Sequence, residues 1–216
     1  MEVPSGRRRA ALAGHTGDVA EARSLLQDPD PRVRATALGA LGRMGVVGAG
    51  EVEAALADPS PEVRRRACQV GMGVAGADLV ARLDDEDAGV VEVAAWALGE
   101  RAEAGAGGEV VERLAAVATG HADPLCREAA VAALGAIGDE RGLPAVLAAT
   151  ADKPAIRRRA VIALAPFAGP EVDQALARAL EDRDWQVRQA AEDLTDEVLA
   201  AVDRACAVNG SQNPRR

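Results

Sequence analysis

One short phrase is written again and again along this chain. Its first copy reads Asp28-Pro29-Asp30-Pro31-Arg32-Val33-Arg34-Ala35-Thr36-Ala37, and its second Asp58-Pro59-Ser60-Pro61-Glu62-Val63-Arg64-Arg65-Arg66-Ala67. Aligned on the residue after the apolar anchor, Arg34, Arg64, Val91, Arg127, Arg157 and Arg188 share one column. The steps between them range from 27 (64 to 91) to 36 (91 to 127). Three residues further on, alanine stands each time, at Ala37, Ala67, Ala94, Ala130, Ala160 and Ala191. Self-similarity at such a period means one supersecondary unit stacked on itself, because a single unit cannot bury its own apolar face.

The unit is helical. The anchor before the column, the alanine after it and a leucine one turn later (Leu41, Leu98, Leu134, Leu164) fall on one face at helical spacing. The second copy departs, with Gly71 where leucine is expected. Asp30-Pro31, Ser60-Pro61 and Asp123-Pro124 place an N-cap acceptor before proline at the first helical position, where its missing N–H costs nothing. Gly42, Gly99 and Gly135 are expected to stop these helices in the left-handed conformation. Shorter helices are predicted between them, over 18–27, 50–57, 77–83, 108–119, 143–151 and 170–181.

This pattern resembles the HEAT-like repeats of the phycobilisome-lyase type, over roughly residues 17–195. The phrases that carry it are the Asp-x-x-x-x-Val-Arg-x-x-Ala column, Ala94-Ala95-Trp96-Ala97-Leu98-Gly99, and the run from Ala130 to Asp139. The resemblance implies an all-α fold: a right-handed α-solenoid of about six short HEAT-like helical hairpins with terminal capping helices. It also implies a ladder of turn aspartates and helix arginines. By position, Asp28 pairs with Arg34, Asp58 with Arg64 and Asp182 with Arg188. Arg127 and Arg157 are rungs whose aspartate slots hold His121 and Ala151, with Asp123 and Asp152 nearby. Asp85 faces Val91, so the third repeat is expected to lack its rung. A single solenoid is expected over residues 1–207, with an N-terminal cap over 1–16, repeats over 17–195 and a closing helix over 196–207. A disordered tail follows over 208–216.

Composition narrows the functional classes. The chain of 216 residues carries a net charge of −9, which argues against a general nucleic-acid binder. Abundant Ala, Gly and Arg with a lone lysine, Lys153, points to a GC-rich bacterial source. Three cysteines without a CxxC pair give neither a disulfide framework nor a zinc site, and no apolar run reaches membrane-spanning length. His15 and His121 stand far apart, outside any ligand spacing, so no catalytic residue, metal or cofactor is assigned. A cytoplasmic, monomeric, non-catalytic protein is expected.

The candidate site is therefore a surface. Positions on the second helices that point away from the apolar stripe include Arg65, Arg66, Gln69, Trp96, Arg158, Arg159 and Ile162. Arginine and tryptophan dominate interface hot spots, so these residues are read as a concave protein-binding face whose partner carries an acidic segment. Trp185 is expected to pack as a cap on the last repeat. Much of the positive charge of the second helices belongs to the ladder, so Arg65, Arg66, Arg158 and Arg159 are the arginines left for function. Two further readings follow from resemblance alone: a nucleic-acid-binding solenoid related to DNA-alkylation-repair proteins, and an accessory subunit of a bilin lyase.

Overall fold

A computed structural model of the protein describes residues 5–101 and 107–195. The closing helix and tail expected over 196–216 lie outside them. Every regular element among the described residues is helical. The first helix, α1 (Gly6–Thr16), packs on α3 and covers the N-terminal end of the stack. Helix pairs then follow: α2 (Val19–Ser24) with α3 (Pro31–Met44), α4 (Ala49–Leu56) with α5 (Pro61–Gly71), and α6 (Ala88–Glu100) after a single 3-10 turn at Val80–Asp84. Next come α7 (Gly108–Gly120) with α8 (Pro124–Ile137), α9 (Leu143–Ala149) with α10 (Pro154–Ala163), and α11 (Pro170–Leu180) with α12 (185–195). The second helices α3, α5, α6, α8 and α10 stack in series, each packed on the next. The third unit is the irregular one. Only fourteen positions separate Gly71 from Asp85, and Gly76 turns the chain at φ +84, so the expected helix over 77–83 shrinks to the 3-10 turn.

The second helices begin as their sequences dictate, with one exception. Asp30 accepts from the N–H of Arg32, Asp123 from that of Leu125 and Asp87 from that of Val90. Ser60 makes no such bond. Their ends correct the reading of the glycines. Left-handed stops occur at Gly45 (φ 68) and Gly138 (φ 66), three residues beyond Gly42 and Gly135, which are helical themselves. Gly42, Gly99 and Gly135 instead mark where neighbouring helices touch. A Cβ on Gly135 would lie 2.6 Å from Cα of Ala163, one on Gly99 2.8 Å from Cα of Ala133, and one on Gly42 2.9 Å from Cγ2 of Val70. A core made of Ala, Val and Leu leaves no large rings to span wider gaps, so the helices close directly onto one another.

The ladder differs from its expected pairing in a single systematic way: Arg34, Arg64, Arg127 and Arg157 each bond the aspartate carboxylate of the next turn along the chain. Nε and Nη2 of Arg34 donate to Asp58 at 2.8 and 2.7 Å, while Nη1 donates to the carbonyl of Asp28 at 2.9 Å. Arg64 grips Asp85 at 2.8 and 2.7 Å and the carbonyl of Asp58 at 3.0 Å. Arg127 grips Asp152 and the carbonyl of His121, and Arg157 grips Asp182 and the carbonyl of Asp152. Arg188 donates to the carbonyl of Asp182 at 2.7 Å. The pairs Asp28/Arg34, Asp58/Arg64 and Asp182/Arg188 thus meet through the aspartate's carbonyl. One carboxylate oxygen of each of these aspartates is already taken by the backbone N–H two residues on, Asp30, Ser60 or Asp184. That bond helps turn the carboxylate out of the reach of its own repeat's arginine.

The missing rung therefore lies between the third and fourth units, with Val91 in the arginine place and His121 in the aspartate place. Val91 is fully buried. Nδ1 of His121 accepts from the N–H of Asp123 at 3.0 Å and so preserves the turn that aspartate makes elsewhere. Asp85 has lost nothing, since Arg64 holds it. Val91→Arg alone is expected to destabilise the protein, because it faces a guanidinium with an imidazole. Combining it with His121→Asp supplies the carboxylate and recovers most of the loss. A double-mutant cycle from urea midpoints should return a favourable coupling of about 1–3 kcal/mol; strict additivity would show that the two positions do not meet.

Candidate functional site

The face made by the second helices carries most of the exposed apolar bulk. Among the described residues, seven large apolar side chains are exposed, and four of them (Trp96, Leu125, Ile162 and Trp185) line two depressions on this face. The first depression, about 700 Å³, lies over α6 and α8. It forms because Gly99 and Ala133 bring these helices together at its base, while alanines at 129, 132 and 136 fill so little of the space above. Trp96 and Leu125 stand at its walls with Glu92, Glu100 and Glu128, and Gln69 and Arg159 reach it from α5 and α10. The second, about 410 Å³, lies between α10 and α12, where Arg158, Ile162, Trp185 and Gln189 meet. A third, about 480 Å³, opens between α3 and α5 beside Arg43, Arg66 and Gln69.

The structure thus brings Gln69, Trp96 and Arg159 together in one depression, places Arg158 and Ile162 in the next, and leaves Arg65 and Arg66 toward the N-terminal side. The four arginines are not equivalent. Arg66 donates to Oε1 of Gln69 at 2.8 Å, and Arg159 lies 3.5 Å from Glu128. Arg65 rests over Gly89, where a Cβ would come within 3.2 Å of its Nη1. Among the described residues Arg65 and Arg158 have no carboxylate within ion-pair distance. Trp185 does not cap the repeat: its side chain is 64% exposed, because it opens α12 on the solvent side of the turn. Sequence reasoning also passed over Leu125, directly after the helix-opening Pro124. Its offset from the column marks it as outward-facing, a signal that was available.

Among the described residues, no group of three or more His, Cys, Asp or Glu side chains is placed to hold a metal ion. Cys68 and Cys126 are buried thiols; burial pushes the first up to about 12 and the second up to about 11, and Sγ of Cys126 donates to the carbonyl of Ala88 at 3.1 Å. Both are packing residues held far from thiolate formation. No described helix is long and apolar enough to cross a membrane.

Comparison with known proteins places the chain. A family model for HEAT repeats matches residues 76–155 and 111–194, and a second HEAT repeat model matches residues 22–47. The fold defines a helical-repeat solenoid, and the chain belongs to the HEAT-repeat family. Among solved structures it is similar to a designed armadillo repeat protein at 19% identity, with a TM-score of 0.57 over 82% of this chain and 98% of that one. Human deoxyhypusine hydroxylase in complex with glycerol is also similar, at 23% identity and a TM-score of 0.47 over 88% of this chain and 78% of that one. No curated protein matches the sequence.

Proposed function

We propose that the protein is a non-catalytic scaffold that binds another protein along the face of its second helices. The observation that carries this reading is the grouping of Trp96, Leu125, Ile162 and Trp185 in two depressions on one face, with Arg158 lining the second and Arg65 resting over Gly89 at the start of α6. Scattered exposed apolar residues need no explanation, but a grouping rimmed by polar residues is the mark of an interaction surface. Aromatic anchors in shallow pockets, with arginines available for charge-assisted bonds, supply the elements of a hot spot. Arg65 and Arg158 fit acidic side chains of the partner, in the cytoplasm where reduced buried thiols persist.

Affinity capture from the native host tests the proposal by comparison of variants. Trp96→Ala with Ile162→Ala is expected to weaken capture of the partner by about tenfold or more. Arg65→Ser with Arg158→Ser should weaken it too, with a melting temperature close to that of the wild type, since both side chains face solvent. Glu171→Gln on α11 should change neither. A partner that is lost with the α11 variant and kept with the second-helix variants would place the interface elsewhere and sink the proposal.

A further inference from the structure

We infer that the depression over α6 and α8 takes an arginine side chain of an extended partner segment; this rests on the reading of the same face as a protein-docking surface. Three carboxylates, Glu92, Glu100 and Glu128, line the depression against one guanidinium, Arg159, which already lies 3.5 Å from Glu128. Among the described residues Glu92 and Glu100 have no cation within ion-pair distance. Between them on the same helix stands Trp96, with 43% of its surface open to solvent.

An acidic side chain entering here meets excess negative charge. A purely apolar one strips water from carboxylates without replacing the lost bonds. A cation gains on both counts, because it lies against the electron-rich face of an indole and within a ring of carboxylates. Guanidinium suits the place better than ammonium, since it is planar, stacks on an aromatic face and can bond a carboxylate through two N–H groups at once. A volume of about 700 Å³ leaves room for the peptide that presents it.

The surroundings extend the inference to a pattern. Arg65 on α5 and Arg158 on α10 flank the depression on either side and favour acidic partners. Second helices spaced about 9 Å apart put each flanking arginine roughly one and a half spacings from the centre, which an extended chain covers in about four residues. The segment that fits best is thus acidic, then arginine, then acidic, at intervals of about four residues.

The test is a titration of the full chain followed by the indole N–H signals of its two tryptophans, assigned with Trp185→Phe. The probes are blocked triarginine, trilysine and triglutamate peptides at physiological salt. Triarginine should move the Trp96 signal to saturation, trilysine should bind more weakly, and triglutamate should leave the signal in place. Glu92→Gln with Glu100→Gln should weaken triarginine by about tenfold. Trilysine binding as tightly as triarginine would remove the guanidinium from the inference. Triglutamate moving Trp96 equally, no response to triarginine, or unchanged affinity in the glutamine variant would overturn it. If triarginine fails while partner capture still depends on Trp96, the arginine site falls and the docking face stands. If triarginine binds but capture is indifferent to this face, the scaffold proposal is what falls.

Discussion

Asp85→Ala should destabilise the protein by about 3–5 kcal/mol, more than any other single change to the ladder. Its partner Arg64 is 7% exposed and Asp85 itself 3%, the most enclosed pair in the stack. Removing the carboxylate leaves a guanidinium buried with only backbone carbonyls and the solvent-exposed carboxylate of Glu86, 3.4 Å away, to face it. It also removes the acceptor for the N–H of Asp87, which opens α6. Asp152→Ala breaks a more exposed pair and should cost less. Urea midpoints for the two variants check the order; equal losses would show that enclosure does not set the strength of a rung.

The same pairs make stability depend on acidity. Burial raises the Asp85 and Asp58 carboxyls, but the bonds from Arg64 and Arg34, backbone N–H groups and nearby arginine charge outweigh it, so both sit below the usual carboxylate value. For Asp152 and Asp182 the arginine bonds are the leading influence, and they too are lowered. Each carboxyl therefore holds its proton less tightly in the folded chain than in the unfolded one. The stabilisation is complete above the unfolded value of about 4 and is lost as pH falls through the lowered folded values. Thermal unfolding followed from about pH 6 down to about pH 2 should show a midpoint that drops at the acid end, and Asp85→Ala should flatten part of that drop.

Gly135→Ala and Gly50→Ala are expected to act in opposite directions. At Gly135 the new methyl would sit 2.6 Å from both Cα and Cβ of Ala163, and neither can rotate away. Helices α8 and α10 must part, at a cost of about 1–3 kcal/mol. Gly50 lies exposed in α4 with nothing within 4 Å of a modest methyl, so alanine there gains helix propensity and stabilises by about 0.5–1 kcal/mol. Gly99→Ala should follow Gly135→Ala, because its methyl would meet the backbone of Ala133. Denaturant midpoints settle the sign. A neutral Gly135→Ala would mean that the stack yields to a methyl group without loss.

These cases also show where sequence was readable. The column of Arg34, Arg64, Arg127, Arg157 and Arg188 follows from period alone, and so does the face on which Trp96 and Arg158 lie. Which aspartate each arginine holds was not readable, because the near partner is six residues away while the true one lies 21 to 25 away. The glycines were misread for a related reason. A glycine near a helix end looks the same in sequence whether it turns the chain or admits a neighbour, and only the left-handed φ of Gly45 and Gly138 tells the two apart. At the candidate site the offsets identified outward residues. They could not reveal that Glu128 already engages Arg159, nor that glutamates gather around Trp96 from two different helices.

Because every rung runs from an arginine to the aspartate that comes after it, the stack has a direction. A ribosome delivers the arginine first, with its own turn's carbonyls, and the counter-charge only with the following unit. As each unit that bears a rung arginine is made, the growing end thus exposes a cation awaiting its anion, and that unit is completed by the one still to emerge. Shortening the chain from either end is correspondingly unequal. Loss of units from the C-terminal side strands a guanidinium, whereas loss from the N-terminal side strands only a carboxylate that its own turn's N–H still holds.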